Sequence, residues 1–248
     1  MVGAYMTFYA ITTFHLHPLL SVVLAVVVST LLGVVIEKVA YTPLRSAPRL
    51  SLLITAIGIS FLLENGAQLI FGADSKSMDP MVTGNLSVGG ISISYAALIT
   101  ILVSVAAMLL LTFLVQGTKL GKAMRAVSED MGAAQLMGIN INKTISFTFA
   151  VGSALAGIGS VLYMCAYPQA SPTMGSMLGL KAFVAAVLGG IGSIPGAVIG
   201  GFAIGMAEAL VSAAGLSVWK DGVVFAILIV VLLVKPTGIL GRPITEKV

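Results

Sequence analysis

The chain has 248 residues, of which 58% are hydrophobic and only 9% charged, with a mean hydropathy of +1.09. An ordinary soluble domain carries about 25% charged residues, so a soluble fold of this length could not cover its surface; a cytosolic globular enzyme, a disordered chain and a nucleic-acid binder are excluded. The apolar residues fall in long charge-free runs, which makes lipid the solvent. The net charge of +4 reads as basic residues collected in cytoplasmic loops, and the one cysteine, Cys165, allows no internal disulfide.

In chain order the runs divide into eight membrane segments. The first, Val2–Phe14, is too short for a comfortable span and lacks the basic flank of a signal peptide, so it is expected to be broken or tilted, or to follow upstream sequence. His15-Leu16-His17-Pro18 interrupts it, and Pro18–Ile36 follows as a full span. Glu37–Arg49 is a short loop with Pro43 and Pro48 as breakers. Leu50–Phe71 is the third segment, Gly72–Gly90 a polar connection rich in Gly and Ser, and Ile91–Val115 the fourth segment. Gln116–Lys143 is the longest polar stretch. Thr144–Tyr167 crosses again; Leu178–Gly190 and Ala197–Ser212 are short and separated by a Gly-rich break; Gly222–Val234 is the last, stopped by Lys235-Pro236. The runs are apolar throughout rather than alternating, so they are helices and not barrel strands. The expected fold is an all-α integral membrane protein, a polytopic helical bundle with some segments short or broken, forming a single transmembrane domain over residues 1–248.

Charge placement orients it. Three stretches, Glu37–Arg49, Gln116–Lys143 and the tail after Val234, hold ten of the thirteen Lys and Arg residues. Eight crossings put all three on one face, the cytoplasmic one by the positive-inside rule, with both termini inside.

Within Gln116–Lys143, Ser128 can cap a helix whose first turn carries Glu129 and Asp130, running to about Met137 with Gly138 as its C-terminal cap. A short helix held in a loop cannot bury much surface in its own chain. Its small face (Gly132, Ala133, Ala134) and its apolar knobs (Leu136, Met137) are open to a partner, or lie on the lipid headgroups as an amphipathic connector.

Other segments carry weaker signals. Glu64, Asn65 and Gln68 lie within the third segment and Glu208 within the seventh. A charge at the bilayer centre costs about 2.5–3.5 kcal/mol on insertion scales, so these positions are candidates for a translocation path or for structural hydrogen bonds. Lys181 is the one cation beside an apolar run and can snorkel outward. Gly192, Gly196 and Gly200 recur every fourth residue, a spacing that lets helices approach closely in lipid; with Gly189 and Gly190 the break either packs tightly or lines the substrate path. No metal site is expected, since His15 and His17 supply too few ligands. No catalytic set stands out, and Gly121-Lys122 is followed by Ala123, which is not a P-loop.

Gly132-Ala133-Ala134-Gln135-Leu136-Met137-Gly138 resembles the EAA loop of ABC-importer permeases, with Gly132 in place of the Glu and without the later Ile-x-Leu-Pro part. Most of the chain resembles the LivH-type permease of branched-chain amino acid importers. The phrases that carry this are Glu37-Lys38-Val39-Ala40-Tyr41-Thr42-Pro43-Leu44-Arg45, Arg125-Ala126-Val127-Ser128-Glu129-Asp130, Leu136-Met137-Gly138-Ile139-Asn140, the Gly-rich run from Lys181 to Ala197, and Lys235-Pro236-Thr237-Gly238-Ile239-Leu240-Gly241-Arg242-Pro243. Such proteins usually begin with another membrane helix before residues like Gly3-Ala4-Tyr5. The resemblance implies a permease subunit of the bacterial inner membrane, paired with a second, similar permease and served by a periplasmic amino-acid-binding protein. Two cytoplasmic ATPases, which hold ATP-Mg, would dock on the loop through Arg125, Ser128, Glu129, Asp130, Gly132, Ala133, Ala134, Leu136 and Gly138. No cofactor would bind this subunit directly, and it would do no covalent chemistry. The implied cargo is a branched-chain amino acid; related permeases are similar to carriers of urea and amides. The alternative is a self-contained secondary transporter using Glu64 or Glu208 as an ion relay.

Overall fold

A computed structural model describes residues 1–45, 47–88, 91–235 and 237–241. Ten α-helices are present among them: α1 Val2–Thr12, α2 Pro18–Ile36, α3 Arg49–Phe71, α4 Tyr95–Gly117, α5 Lys119–Glu129, α6 Met131–Leu136, α7 Ile141–Ala166, α8 Met174–Gly189, α9 Ile194–Ala213 and α10 Lys220–Val234. Six helical stretches among the described residues are long and apolar enough to cross a bilayer, at about 1.5 Å per residue. The other two expected segments are shorter: α1 has 11 residues and α8 has 16.

The helix ends follow local chemistry. Pro18 opens α2, with the His17 ring accepting from the Leu19 N–H at 3.4 Å. Ser94 caps α4 and Ser193 caps α9. Two ends differ from the sequence expectation. The fourth span begins at Tyr95, because Ile91–Ser94 forms a strand, β3, paired antiparallel with β2 (Asn85–Val88). The loop after α2 does not begin at Glu37: the chain stays helical through a π turn over Glu37–Tyr41, closed by the Thr42 N–H on the Glu37 carbonyl.

Backbone contacts separate two units, Met1–Met174 and the residues from Gly175 onward. The first is built on α2 packed against α7. Small residues set that approach. Gly33 lies against Ser153, and Gly157 lies against the α2 backbone, where a Cβ would stand 2.9 Å from Val26 Cα. In lipid, close backbone approach replaces the hydrophobic drive that assembles soluble helices. α1 joins the pair through Gly3, which faces Ser29 of α2 and Ser160 of α7.

One end of this unit is aromatic. Tyr5 stacks on Phe71 at 4.5 Å between ring centroids, Tyr9 leans on Phe71 at 5.3 Å, and Ala4, Ala67, Met164 and Ala170 complete a buried cluster. At the same end β1 (Lys76–Ser77) pairs with β4 (Gln169–Ala170), which ties the connection after α3 to the one after α7. The opposite end carries Lys38, Arg45, Lys119, Lys122, Arg125 and Lys143, since α5 packs on α4 and α7 there. The basic stretches of this unit thus share one end, and Lys76 sits at the other.

The second unit is a three-helix arrangement. Val184 of α8, Ile204 of α9 and Val224 of α10 form its buried centre, flanked by Ala185, Phe225 and Leu228. The chain after α10 returns to the end of α8, where the Ile239 N–H donates to the Leu188 carbonyl and the Leu240 N–H to the Gly189 carbonyl, both at 2.9 Å. These bonds satisfy carbonyls that a helix C-terminus leaves open. Pro236, Arg242 and Lys247 of the basic tail, and Gly90 at the end of the polar connection, lie outside the described residues.

Gly157→Val places a branched side chain against α2 backbone, and overpacking of this kind costs about 1–3 kcal/mol. Its thermal unfolding midpoint in detergent is expected to fall by several degrees, while Gly152→Val on the same helix, with open space around it, leaves the midpoint at or above that of the parent.

Candidate functional site

The stretch between α4 and α7 holds two helices rather than one. Thr118 caps α5, its hydroxyl oxygen accepting from the Gly121 N–H at 3.0 Å. α5 runs to Glu129, so Ser128 lies inside it and donates to the Arg125 carbonyl at 2.7 Å. The break falls at Asp130, in extended backbone (φ −155°, ψ 110°), whose carboxylate accepts from the Ala133 N–H at 3.0 Å and caps α6. The expected cap at Ser128 is therefore corrected to Asp130: the Ser hydroxyl is spent on its own helix, and Asp130 follows the last α5 residue. At the other end Gly138 has φ +83°, the left-handed turn that favours glycine after a helix, and the Ile139 N–H closes on the Ala134 carbonyl.

The faces of α6 sort cleanly. Ala134 is buried, whereas Gly132 and Ala133 are exposed with Arg125, Ser128, Glu129 and Asp130. Leu136 is 90% exposed and Met137 83% exposed. Two apolar side chains are thus held far out at a polar, basic end.

Beside this surface lies a cluster that sequence reading did not single out. Glu37 is wholly buried. Its Oε1 accepts from the Thr42 hydroxyl at 3.0 Å and from Arg45 Nη2, and its Oε2 accepts from the Ser146 hydroxyl of α7 at 2.6 Å. Arg45 Nη1 donates to Asn142 Oδ1 at the start of α7, and its Nη2 donates also to the Thr42 oxygen at 3.3 Å. A buried carboxylate needs such partners, because desolvating it alone is costly. The signal in the sequence is an acid at the last apolar turn of a span with an arginine eight residues on, both within the stretch expected to be a loop.

The second unit contains another ion cluster. Lys181 Nζ of α8 lies 2.8 Å from Glu208 Oε1 of α9 and 2.7 Å from Asp221 Oδ1 of α10. The lysine thus turns inward to two carboxylates instead of snorkelling, and the partner that Glu208 lacks within its own segment comes from a neighbouring helix. No local pattern in the sequence marks Asp221.

The remaining path candidates divide between the two units. On α3, Asn65 is exposed and donates to the Phe61 carbonyl at 2.7 Å within its own helix, while Glu64 and Gln68 are half-buried. Gly189 and Gly190 are buried against other backbone: a Cβ on Gly189 would meet the Gly196 carbonyl, and Gly190 (φ +105°) lies against Gly241. This is close packing, with little room beside either residue. Gly192 (φ +92°) is exposed, with open space about it.

Membrane-length helices with an apolar exterior and ion clusters held between helices define a multi-pass membrane protein. Comparison with known proteins makes this specific. The family model described as "Branched-chain amino acid transport system / permease component" matches residues 1–232, and the chain belongs to that family. The permease protein BraD of the high-affinity branched-chain amino acid transport system of Pseudomonas aeruginosa is 42% identical, covering 100% of this chain and 85% of its own length. LivH of Salmonella typhimurium is 46% identical over 90% of this chain and 74% of its own length. The probable LivH of Methanocaldococcus jannaschii is 29% identical over 97% of the chain and 80% of its own length. No solved structure matches.

Lys181→Met leaves two carboxylates facing each other without their cation. Breaking a fully buried pair costs about 3–5 kcal/mol; with side chains here 21–35% exposed, screening brings the expected loss to about 1–2 kcal/mol. Thermal unfolding should show the deficit in Lys181→Met and recovery of most of it in Lys181→Met combined with Glu208→Gln and Asp221→Asn.

Proposed function

We propose that this chain is the membrane-spanning permease subunit of an ATP-driven importer that carries branched-chain amino acids across the inner membrane of a bacterium. The observation that carries the reading is the match of the family model over residues 1–232, together with relatives that bear this transport activity in their names. ATP-Mg would be held by two separate cytoplasmic ATPase subunits, a second permease of similar type would complete the membrane part, and a periplasmic binding protein would deliver the amino acid.

The geometry supports this division of labour. The end of the first unit that carries Lys38, Arg45, Lys119, Lys122, Arg125 and Lys143 is the cytoplasmic one by the positive-inside rule, which puts α5 and α6 within reach of soluble partners; both termini are proposed to lie on that side as well. The docking surface is the exposed face of α5 and α6: Arg125, Ser128, Glu129, Asp130, Gly132, Ala133, Leu136 and, at the closing turn, Gly138. Ala134 serves from within, by seating α6 on its own chain. Closure of the ATPases on ATP would push this surface and shift the membrane helices between outward and inward access, a change of population driven by the partner's differential affinity. Glu64, Asn65 and Gln68 of α3, and Gly189, Gly190, Gly192 and Glu208 of the second unit, are the candidate path positions. The ion-relay alternative loses ground on Glu208, which is paired with Lys181.

Co-purification of the permease with its ATPases tests the reading. Leu136→Asp combined with Met137→Asp charges the two most exposed knobs and should weaken ATPase retention by at least about tenfold, as loss of central interface anchors does, with no change in the unfolding midpoint of the permease. Retention of the ATPases at the parental level would remove α6 as the docking element. Uptake by this chain alone on a proton gradient would overturn the importer reading as a whole.

A further inference from the structure

We infer that Glu37 is a positioning residue that ties α6 to the α2–α7 helix pair, so that a push on α6 reaches α2 through one carboxylate instead of being lost in the loops. The inference rests on the importer reading above and assigns a part within it.

Glu37 is wholly buried at the point where an apolar helix runs out. The backbone changes there from α to π geometry, a distortion found frequently at functional sites. Its two oxygens collect donors from both sides of a helix interface: Thr42 and Arg45 from the segment after α2, and Ser146 from the second turn of α7. Arg45 extends the cluster to Asn142. Asn142 is two residues past Asn140, which caps α7 by accepting from the Lys143 N–H at 3.1 Å. Asn140 in turn follows the Gly138–Ile139 turn that closes on Ala134 of α6.

The route from α6 to α2 therefore has no unbonded step: the closing turn of α6, the cap of α7, Asn142, Arg45, Glu37. Beyond Glu37 the helix pair is in close contact. Gly33 lies against Ser153 and Gly157 against Val26, and closely packed elements transmit displacement.

Stability alone does not call for an ion pair at this place. A well-packed apolar pair of similar volume is often as stable as a buried salt bridge or more so. What an apolar pair cannot do is hold Thr42, Arg45 and Ser146 to one shared acceptor in fixed directions, which a two-oxygen, charge-assisted acceptor does. That difference separates positioning from packing and can be measured.

The test uses the complete importer in proteoliposomes, with both permeases, both ATPases and the binding protein, and follows uptake of radiolabelled leucine and ATP hydrolysis side by side. The variants are Glu37→Gln, Glu37→Met combined with Arg45→Met, and Ser146→Ala. The double variant is expected to assemble in parental amounts and unfold at the parental temperature, yet to move about tenfold less leucine per ATP hydrolysed, within the usual range of coupling between sites. Glu37→Gln should lose as much, and Ser146→Ala, which frees one oxygen only, should lose less. Parental leucine per ATP in the double variant would overturn the inference, since the cluster would then be packing alone. A fall in uptake matched by an equal fall in ATP hydrolysis or in assembled complex would overturn it too. Failure of the parental importer to accumulate leucine on ATP is a different result, and it would overturn the importer reading itself.

Discussion

The first unit depends on the approach of α2 to α7. Two apolar helices in lipid gain nothing by leaving it for each other, so they associate only where backbones can come close enough for dispersion and small polar contacts to accumulate. Gly33, Gly157 and Ser153 provide that closeness along the membrane-spanning part of the pair. The rest of the unit builds on it. α1, too short to be held by its own length, is seated by Gly3 against serines of both helices, and the buried carboxylate of Glu37 accepts from Ser146 across the pair.

The two ends of this unit are built on different physics. One is closed by stacked aromatic rings and by strand pairing between two connections, which join the chain to itself. The other is charged and presents Leu136 and Met137 outward, which leaves surface for another molecule. In the proposed importer, this asymmetry would let a push at the near end act against a far end braced by rings and strands.

Much of the fold was legible in the sequence, because hydropathy over long runs is a strong signal in a solvent that forbids unpaired backbone. The spans over Pro18–Ile36 and Leu50–Phe71 and the last segment end within a few residues of where they were expected. Ile91–Ser94 misled because its apolar residues continue without a break into α4, while the pairing that makes it a strand is with Asn85–Val88, outside the window that periodicity sees. Of the candidate site, the position of the exposed loop helix was readable and its start was not: Ser128, Glu129 and Asp130 can all cap or open a helix, and only the backbone angle at Asp130 decides between them. The ion clusters were the least legible. Glu37 with Ser146, and Lys181 with Glu208 and Asp221, join residues far apart in sequence, and no local pattern pairs them.

Asp130 ends α5 and begins α6, and no other residue lies between the two helices. Where α6 aims its knobs is therefore set by a single pair of backbone angles, with the carboxylate holding the far side of the joint through the Ala133 N–H. One residue gained or lost at this extended joint would redirect α6, and with it Leu136 and Met137, away from the direction in which they now stand. The surface thus depends on the spacing at Asp130 as well as on the residue types of α6. The proposed contact with a driving partner would in this sense be addressed by chain length before it is addressed by chemistry.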